Sequence, residues 1–182
     1  MRALISSLAG ASALALLTAC SGGGGGSSTP APSYATSLSY TNPTSGSYQL
    51  VKDSASSGGT LVLDLVSTTG APISGVSFSV SADTGKVTWT TPIQNGAFNL
   101  GSSPTALTTK VSGTELQGAV SQKGTGSPIT PTSTTVLAKV TMTLKSNVSA
   151  GAITFTDSGK GAYLDGTGVH NTAVSVGTIT AQ

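Results

Sequence analysis

From Tyr34 onward the apolar residues of this chain recur at every second position rather than every 3.6. Val76, Phe78 and Val80 alternate with Ser77, Ser79 and Ser81, and Val136, Ala138, Val140, Met142 and Leu144 alternate with Leu137, Lys139, Thr141, Thr143 and Lys145. Successive side chains of an extended strand point to opposite faces, so each run predicts a strand with one core-facing and one solvent-facing side. Further strands are predicted over 61–66, 87–91, 106–111, 116–121, 152–156 and 173–180. In the last of these Val174 and Val176 share a face, and Ile179 falls out of phase unless Gly177 marks a bulge. Asp83-Thr84-Gly85, Gln94-Asn95-Gly96 and Asp165-Gly166 supply turn signals between the runs. No stretch after Cys20 carries a helical stripe. Strands that are apolar on one side must bury that side against a second sheet, so the expected class is all-β, an antiparallel β-sandwich of about nine strands.

Composition narrows what such a sandwich can do. The chain has 182 residues and one cysteine, so no disulfide framework is available and one hydrophobic core must suffice. Charged residues make up 8%, against ~25% in ordinary soluble domains. Serine, threonine and glycine fill the exposed positions instead. The formal net charge is +2, and Arg2 is the sole arginine. Nucleic-acid binding requires clustered cations that displace counterions, so that class is excluded.

The N-terminus has its own chemistry. Arg2 precedes an apolar stretch from Ala3 to Leu17, shorter than the roughly 20 residues that span a bilayer. Leu17-Thr18-Ala19-Cys20 follows, and it resembles the lipobox of bacterial lipoproteins. The resemblance implies that residues 1–19 are a signal peptide, that Cys20 is acylated on its thiol, and that a membrane holds the mature chain through this lipid anchor. Two or more acyl chains hold stably where one is marginal. Ser21, in place of aspartate, implies sorting to an outer membrane where the organism has one. Residues 20–33 then form a flexible Gly/Ser/Pro linker with roughly 20 Å of slack, and 34–182 form the sandwich domain.

Within that domain the order of features resembles cohesin domains and the related carbohydrate-binding modules. The matching segments are Thr60-Leu-Val-Leu-Asp-Leu-Val66, Ile73-Ser-Gly-Val-Ser-Phe-Ser-Val80, Val136-Leu-Ala-Lys-Val-Thr-Met-Thr-Leu-Lys145, the Ser149-Ala-Gly151 turn, Ile153-Thr-Phe155, Leu164-Asp165-Gly166 and Val174-Ser-Val-Gly-Thr-Ile179. The match spans roughly residues 58–181. Where cohesins continue into a Tyr-Asp-Pro type turn, this chain has Ala82-Asp83-Thr84-Gly85 and keeps only the aspartate. The resemblance implies a jelly-roll sandwich that binds a protein or polysaccharide partner. It does not place the contact residues.

The remaining chemistry is sparse. His170, Asp157 and Asp165 lie in one late region, but no nucleophile-elbow glycine pattern surrounds any serine, and His170 reads as a loop residue on a turn. The acids are scattered, and Asp64 reads as a solvated strand residue. The expectation is no enzyme, no catalytic residues and no cofactor. Asp157-Ser-Gly159 and Asp165-Gly-Thr-Gly168 could offer oxygens to calcium, but without an Asp-x-Asp-x-Asp loop they read first as turns, and no metal site is assigned. Gly124-Thr-Gly126 and Gly159-Lys-Gly161 lack the strand-to-helix setting of a phosphate loop. Trp89 and Tyr163 are the weak candidates for ligand contact, Trp89 sharing the core parity of Val87 and Tyr163 expected to be exposed. The function this supports is a membrane-anchored extracytoplasmic binding module. The alternative is a structural or assembly lipoprotein of the envelope that binds no carbohydrate.

Overall fold

The computed structural model describes residues 32–101, 106–123 and 126–182. The expected signal peptide, Cys20 and the linker as far as residue 31 lie outside them. Residues 32–182 gather into one compact unit. The described residues contain fourteen strands and no α-helix.

In chain order the strands are β1 (Leu38–Thr41), β2 (Tyr48–Lys52), β3 (Thr60–Ser67), β4 (Gly75–Ala82), β5 (Val87–Asn95), β6 (Leu107–Ser112) and β7 (Glu115–Ser121). They continue as β8 (Val136–Leu144), β9 (Gly151–Ile153), β10 (Phe155–Asp157), β11 (Gly161–Asp165), β12 (Gly168–Thr172), β13 (Val174–Ser175) and β14 (Thr178–Ala181). One sheet runs β13-β2-β3-β8-β5, a second runs β12-β11-β4-β7-β6 with β10 also on β4, and a three-stranded sheet runs β1-β14-β9. All pairings are antiparallel except the two-residue β13–β2 contact.

The alternation read from sequence decides which side of each sheet is buried. Leu61, Leu63 and Leu65 of β3 and Val140 and Met142 of β8 have no solvent exposure, and Phe78, Val80, Leu116 and Val120 of the second sheet join them in one cluster. Each fully buried aliphatic or aromatic side chain of this kind contributes about 1.5–3 kcal/mol by leaving water.

Two departures from strict alternation have local causes. Leu137, expected on the outer face, is fully buried. It is the extra residue of a bulge: Leu65 pairs with Ala138 and Val66 with Val136, which leaves Leu137 unpaired between them. Ile179 is out of phase with Val174 because the expected last strand is two strands in different sheets. β13 lies beside β2, β14 lies between β1 and β9, and Gly177 stands between β13 and β14. A Cβ at Gly177 would lie 1.8 Å from the Thr41 carbonyl oxygen. The backbone crosses from sheet to sheet at a place where no side chain fits.

Candidate functional site

The outer face of the six-stranded sheet is made of small residues. The alternation that sends Val76, Phe78, Val80, Leu116 and Val120 inward sends Gly75, Ser77, Ser79 and Ser81 of β4, Ala119 and Ser121 of β7 and Ala162 of β11 outward. Larger side chains stand on both flanks. Leu164 pairs across the β11–β12 hairpin with Val169, which is 72% exposed, and Thr108 and Lys110 of β6 pair with Ala119 and Gln117. The outcome is a trough. One hollow of about 210 Å³ is lined by Gly75, Ala162, Leu164, Val169, Ala119 and Thr108 among others. A second, of about 460 Å³, shares Ser77, Thr108 and Ala119 with the first and extends to Lys110, Gln117 and Lys160.

The charged end of the trough is organised by Glu115. Its Oε1 accepts from the Ser79 hydroxyl and from Gln117 Nε2 at 3.2 Å, and Lys160 Nζ donates to Oε1 and Oε2 at 2.9 and 3.0 Å. The Ser79 hydroxyl first, and Lys160 next, hold the Glu115 carboxyl down to about 2.

The β11–β12 hairpin that forms the other flank is held by a carboxylate and a column of rings. Asp165 Oδ1 accepts from the Thr167 amide at 2.7 Å, the Thr167 hydroxyl at 2.7 Å and the Gly168 amide at 3.1 Å, and lies 3.1 Å from His170 Nε2. Tyr163 stacks on Tyr48 at 5.6 Å and on His170 at 5.0 Å between ring centroids. His170 is therefore a strand residue of β12 stacked on a tyrosine, a correction to its reading as a loop histidine. The turn is Gly166–Thr167, and it ends where β12 begins, two residues before His170.

The Thr167 contacts lower the Asp165 carboxyl to about 2 from an ordinary 3.8. Folding favours its ionised form, so the stabilisation is complete above the ordinary value and is lost as the pH falls through the lowered one. The amide resonance of Thr167 is accordingly expected to titrate with a midpoint near 2. A midpoint near 3.8 would show the Asp165 turn to be unformed.

Trp89 is core, 7% exposed, with Nε1 donating to the Thr114 carbonyl at 3.2 Å. Tyr163, expected to be exposed, is half-buried against the core with both ring faces covered by Tyr48 and His170, because its register partner on β4 is the inward-facing Val76. Asp157 caps two backbone amides, those of Gly159 and Val174, each at 3.1 Å. With Asp165 committed to its turn, the two carboxylates do not converge, and no cluster of three metal-ligating side chains occurs among the described residues. Asp64 is not solvated: its side chain is 14% exposed and paired with Lys139 at 2.9 Å. Cys20 lies outside the described residues. The trough itself was not singled out from sequence, although its serines were visible as a polar strand face.

No family model matches the sequence, and no curated protein matches it. Solved structures do. A type II cohesin from Bacteroides cellulosolvens shares 16% identity with a TM-score of 0.54, the match covering 74% of this chain and 98% of that one. CaCohA2 from Clostridium acetobutylicum shares 13% identity with a TM-score of 0.53 over 80% of this chain and 90% of its own. The sixth cohesin of scaffoldin B from Acetivibrio cellulolyticus, solved in complex with a mutant dockerin, shares 21% identity with a TM-score of 0.51 over 73% and 99%. At these identities the likeness is one of fold, and the fold it shows is the cohesin β-sandwich.

Proposed function

We propose that this chain is a lipid-anchored module of the cell envelope that holds a protein partner in the trough of its six-stranded sheet. The observation that carries the reading is the trough itself: a floor of Gly75, Ser77, Ala119 and Ala162, an apolar flank at Leu164 and Val169, and a charged end where the Lys110 cation stands beside the Glu115–Lys160 ion pair. Neighbouring strands lie ≈ 4.8 Å apart, so the three floor strands β11, β4 and β7 present a strip about 10 Å wide, the diameter of an α-helix with its side chains. A helix with an apolar face and an acidic end fits that strip. The fold supports the same class of partner, since one of the solved cohesins was crystallised with a dockerin. Polysaccharide is disfavoured because Trp89, Tyr40 and Tyr48 are buried, Tyr163 is sandwiched between Tyr48 and His170, and the exposed Tyr34 does not line the trough.

Anchoring rests on Leu17-Thr18-Ala19-Cys20. An outer membrane is the destination that Ser21 favours in a two-membrane cell.

Ala162→Glu and Ala119→Arg each place a charge on the trough floor without entering the core. Each is expected to weaken capture of the envelope partner by about tenfold or more, equivalent to ~1.4 kcal/mol, while leaving the unfolding midpoint unchanged. Capture that survives both substitutions, or retardation of the purified domain in gels containing a polysaccharide, would overturn the protein reading. Separately, Cys20→Ser is expected to leave uncleaved precursor that takes up no fatty-acid analogue. Undiminished labelling would refute the anchor.

A further inference from the structure

On the outer face of the five-stranded sheet, remote from the trough, three ionisable side chains converge. Lys139 of β8 donates from Nζ to Asp64 Oδ1 on β3 at 2.9 Å and also to Asp53 Oδ2, just beyond β2. Asp64 and Lys139 are register partners, and Asp53 continues the β2–β3 ladder through the hydrogen bond its amide N–H donates to the Val62 carbonyl at 2.9 Å. Asp64 and Lys139 thus lie directly across from each other, and Asp53, opposite Val62 and so two residues along from Asp64 on the same face, reaches the Lys139 amine on the diagonal. Asp53 is fixed from its other side as well, because Oδ1 accepts from the Ala55 amide at 2.6 Å, which leaves Oδ2 turned to the amine. The Asp53 and Asp64 side chains are 11% and 14% exposed and that of Lys139 is 30% exposed. An amine, an immobilised carboxyl and a second carboxyl touching the same nitrogen are the groups that an amide condensation requires, and holding them in place supplies most of the entropy such a step otherwise costs.

We infer that Lys139 and Asp53 are the site of an intramolecular isopeptide cross-link, with Asp64 as the group that moves the protons. The Lys139 ammonium gives one proton to Asp64, which passes it to an Asp53 oxygen. The freed Nζ lone pair adds to Asp53 Cγ. The adduct nitrogen gives a second proton to Asp64, which returns it to the departing hydroxyl. The C–O bond breaks, water leaves, and an amide joins Nζ to Cγ. Ammonium and carboxylate give amide and one water, Asp64 ends as it began, and no oxidant or co-reactant is consumed.

The two carboxyls differ as these roles require. Burial pushes Asp64 above the ordinary carboxyl range against the pull of Lys139, so it is the acid able to hold a proton. The Ala55 amide and then Lys139 hold Asp53 down to about 2, and the bonds to Asp53 and then Asp64 raise Lys139. The pair thus begins as an ion pair, and the relay through Asp64 is what neutralises it. The product ties β2 to β8 across β3 and closes the chain from 53 to 139, a covalent closure in a sequence whose one cysteine is at position 20.

Peptide mapping of the full chain, purified and held at neutral pH until its mass spectrum is constant, tests this. Trypsin cuts after lysine, so the expected species is 53–86 joined to 124–145, uncut at Lys139 and lighter by one water than the two peptides together. Asp64→Asn, checked for retained β-sheet by circular dichroism, is expected to reduce that species at least tenfold, and Lys139→Arg to abolish it. Separate wild-type peptides of full mass, cleaved at Lys139, would overturn the inference. So would a water loss confined to 53–86, the mark of cyclisation at Asp53. A wild-type yield in Asp64→Asn would remove Asp64 from the mechanism.

Discussion

Phe78→Ala is expected to destabilise the sandwich by about 3–5 kcal/mol, the range for removing a buried phenylalanine from a core that relaxes only in part. Phe78 is 1% exposed at the middle of β4, and its register partner on β7 is Gly118. A Cβ on that glycine would stand 2.5 Å from Phe78 Cζ and 2.7 Å from Ile93 Cδ1. The ring thus occupies the volume that the missing side chain leaves, and alanine at 78 would empty it directly beneath Ser77 and Ser79. A lowered urea midpoint at unchanged slope is the readout. Because Phe78 and Gly118 also line the trough, capture of the partner is expected to fall with stability. A loss below about 1 kcal/mol would mean that the ring is not packed as described, since that is less than the Phe→Ala range.

Gly177→Val is the second large effect, expected at about 3 kcal/mol or more. Overpacking a tight site costs ~1–3 kcal/mol and sometimes more, and here the obstacle is backbone. The new Cβ would meet the Thr41 carbonyl oxygen at 1.8 Å and Tyr40 Cζ at 2.8 Å. Moving Tyr40 breaks two further bonds, since its hydroxyl donates to the Leu50 carbonyl at 2.8 Å and accepts from the Gly177 amide at 2.6 Å. A buried polar group left without a partner costs ~1–3 kcal/mol more. Thermal unfolding of Gly177→Val beside Thr178→Ala, an exposed neighbour expected to change stability by less than ~0.5 kcal/mol, separates this clash from a general intolerance of the segment. Equal midpoints for the two variants would contradict the geometry.

The strands that were legible are those whose alternation is undiluted. Leu61-Leu63-Leu65, Val76-Phe78-Val80 and Val140-Met142 announce both the strand and its buried face. β1 is only four residues long, β2 breaks the alternation at Val51, and β11 and β12 carry glycine, aspartate, histidine and asparagine, which read as turn chemistry. Their strand character comes from pairing with β14, β3 and β4, partners that local sequence does not reveal. The phase break at Ile179 was visible as an anomaly, yet its cause, a change of sheet at Gly177, is a tertiary fact. The trough was half legible. Its serines were assigned to an outer face, but only the order β11-β4-β7 shows that small residues from positions far apart in sequence form one continuous floor. Lys139 and Asp64 were readable as outward neighbours on their own strands, whereas their meeting with Asp53 depends on the β2-β3-β8 register.

The route by which the chain enters and leaves the sandwich has an engineering consequence. The Thr36 and Ser37 amides donate to the Gln182 carbonyl at 2.6 and 2.8 Å, and the Ala35 amide donates to the Val148 carbonyl at 2.8 Å. Residues 35–37 and Gln182 therefore lie together, and because β14 pairs with β9 at Ile179–Ile153 and the Asp83 amide donates to the adjoining Thr154 carbonyl, they lie toward the Ala82 end of β4, while the apolar half of the trough lies at its Gly75 end, about 23 Å away at the rise of an extended strand. A reporter spliced after Gln182, or a solid support coupled ahead of Thr36, would leave the trough unobstructed. A short bridge from 182 to 36 would also allow the chain to be reopened at the Asp165–Gly168 hairpin tip, which would move the new ends to the flank of the trough and turn a partner's arrival into a change in the distance between two dyes placed there.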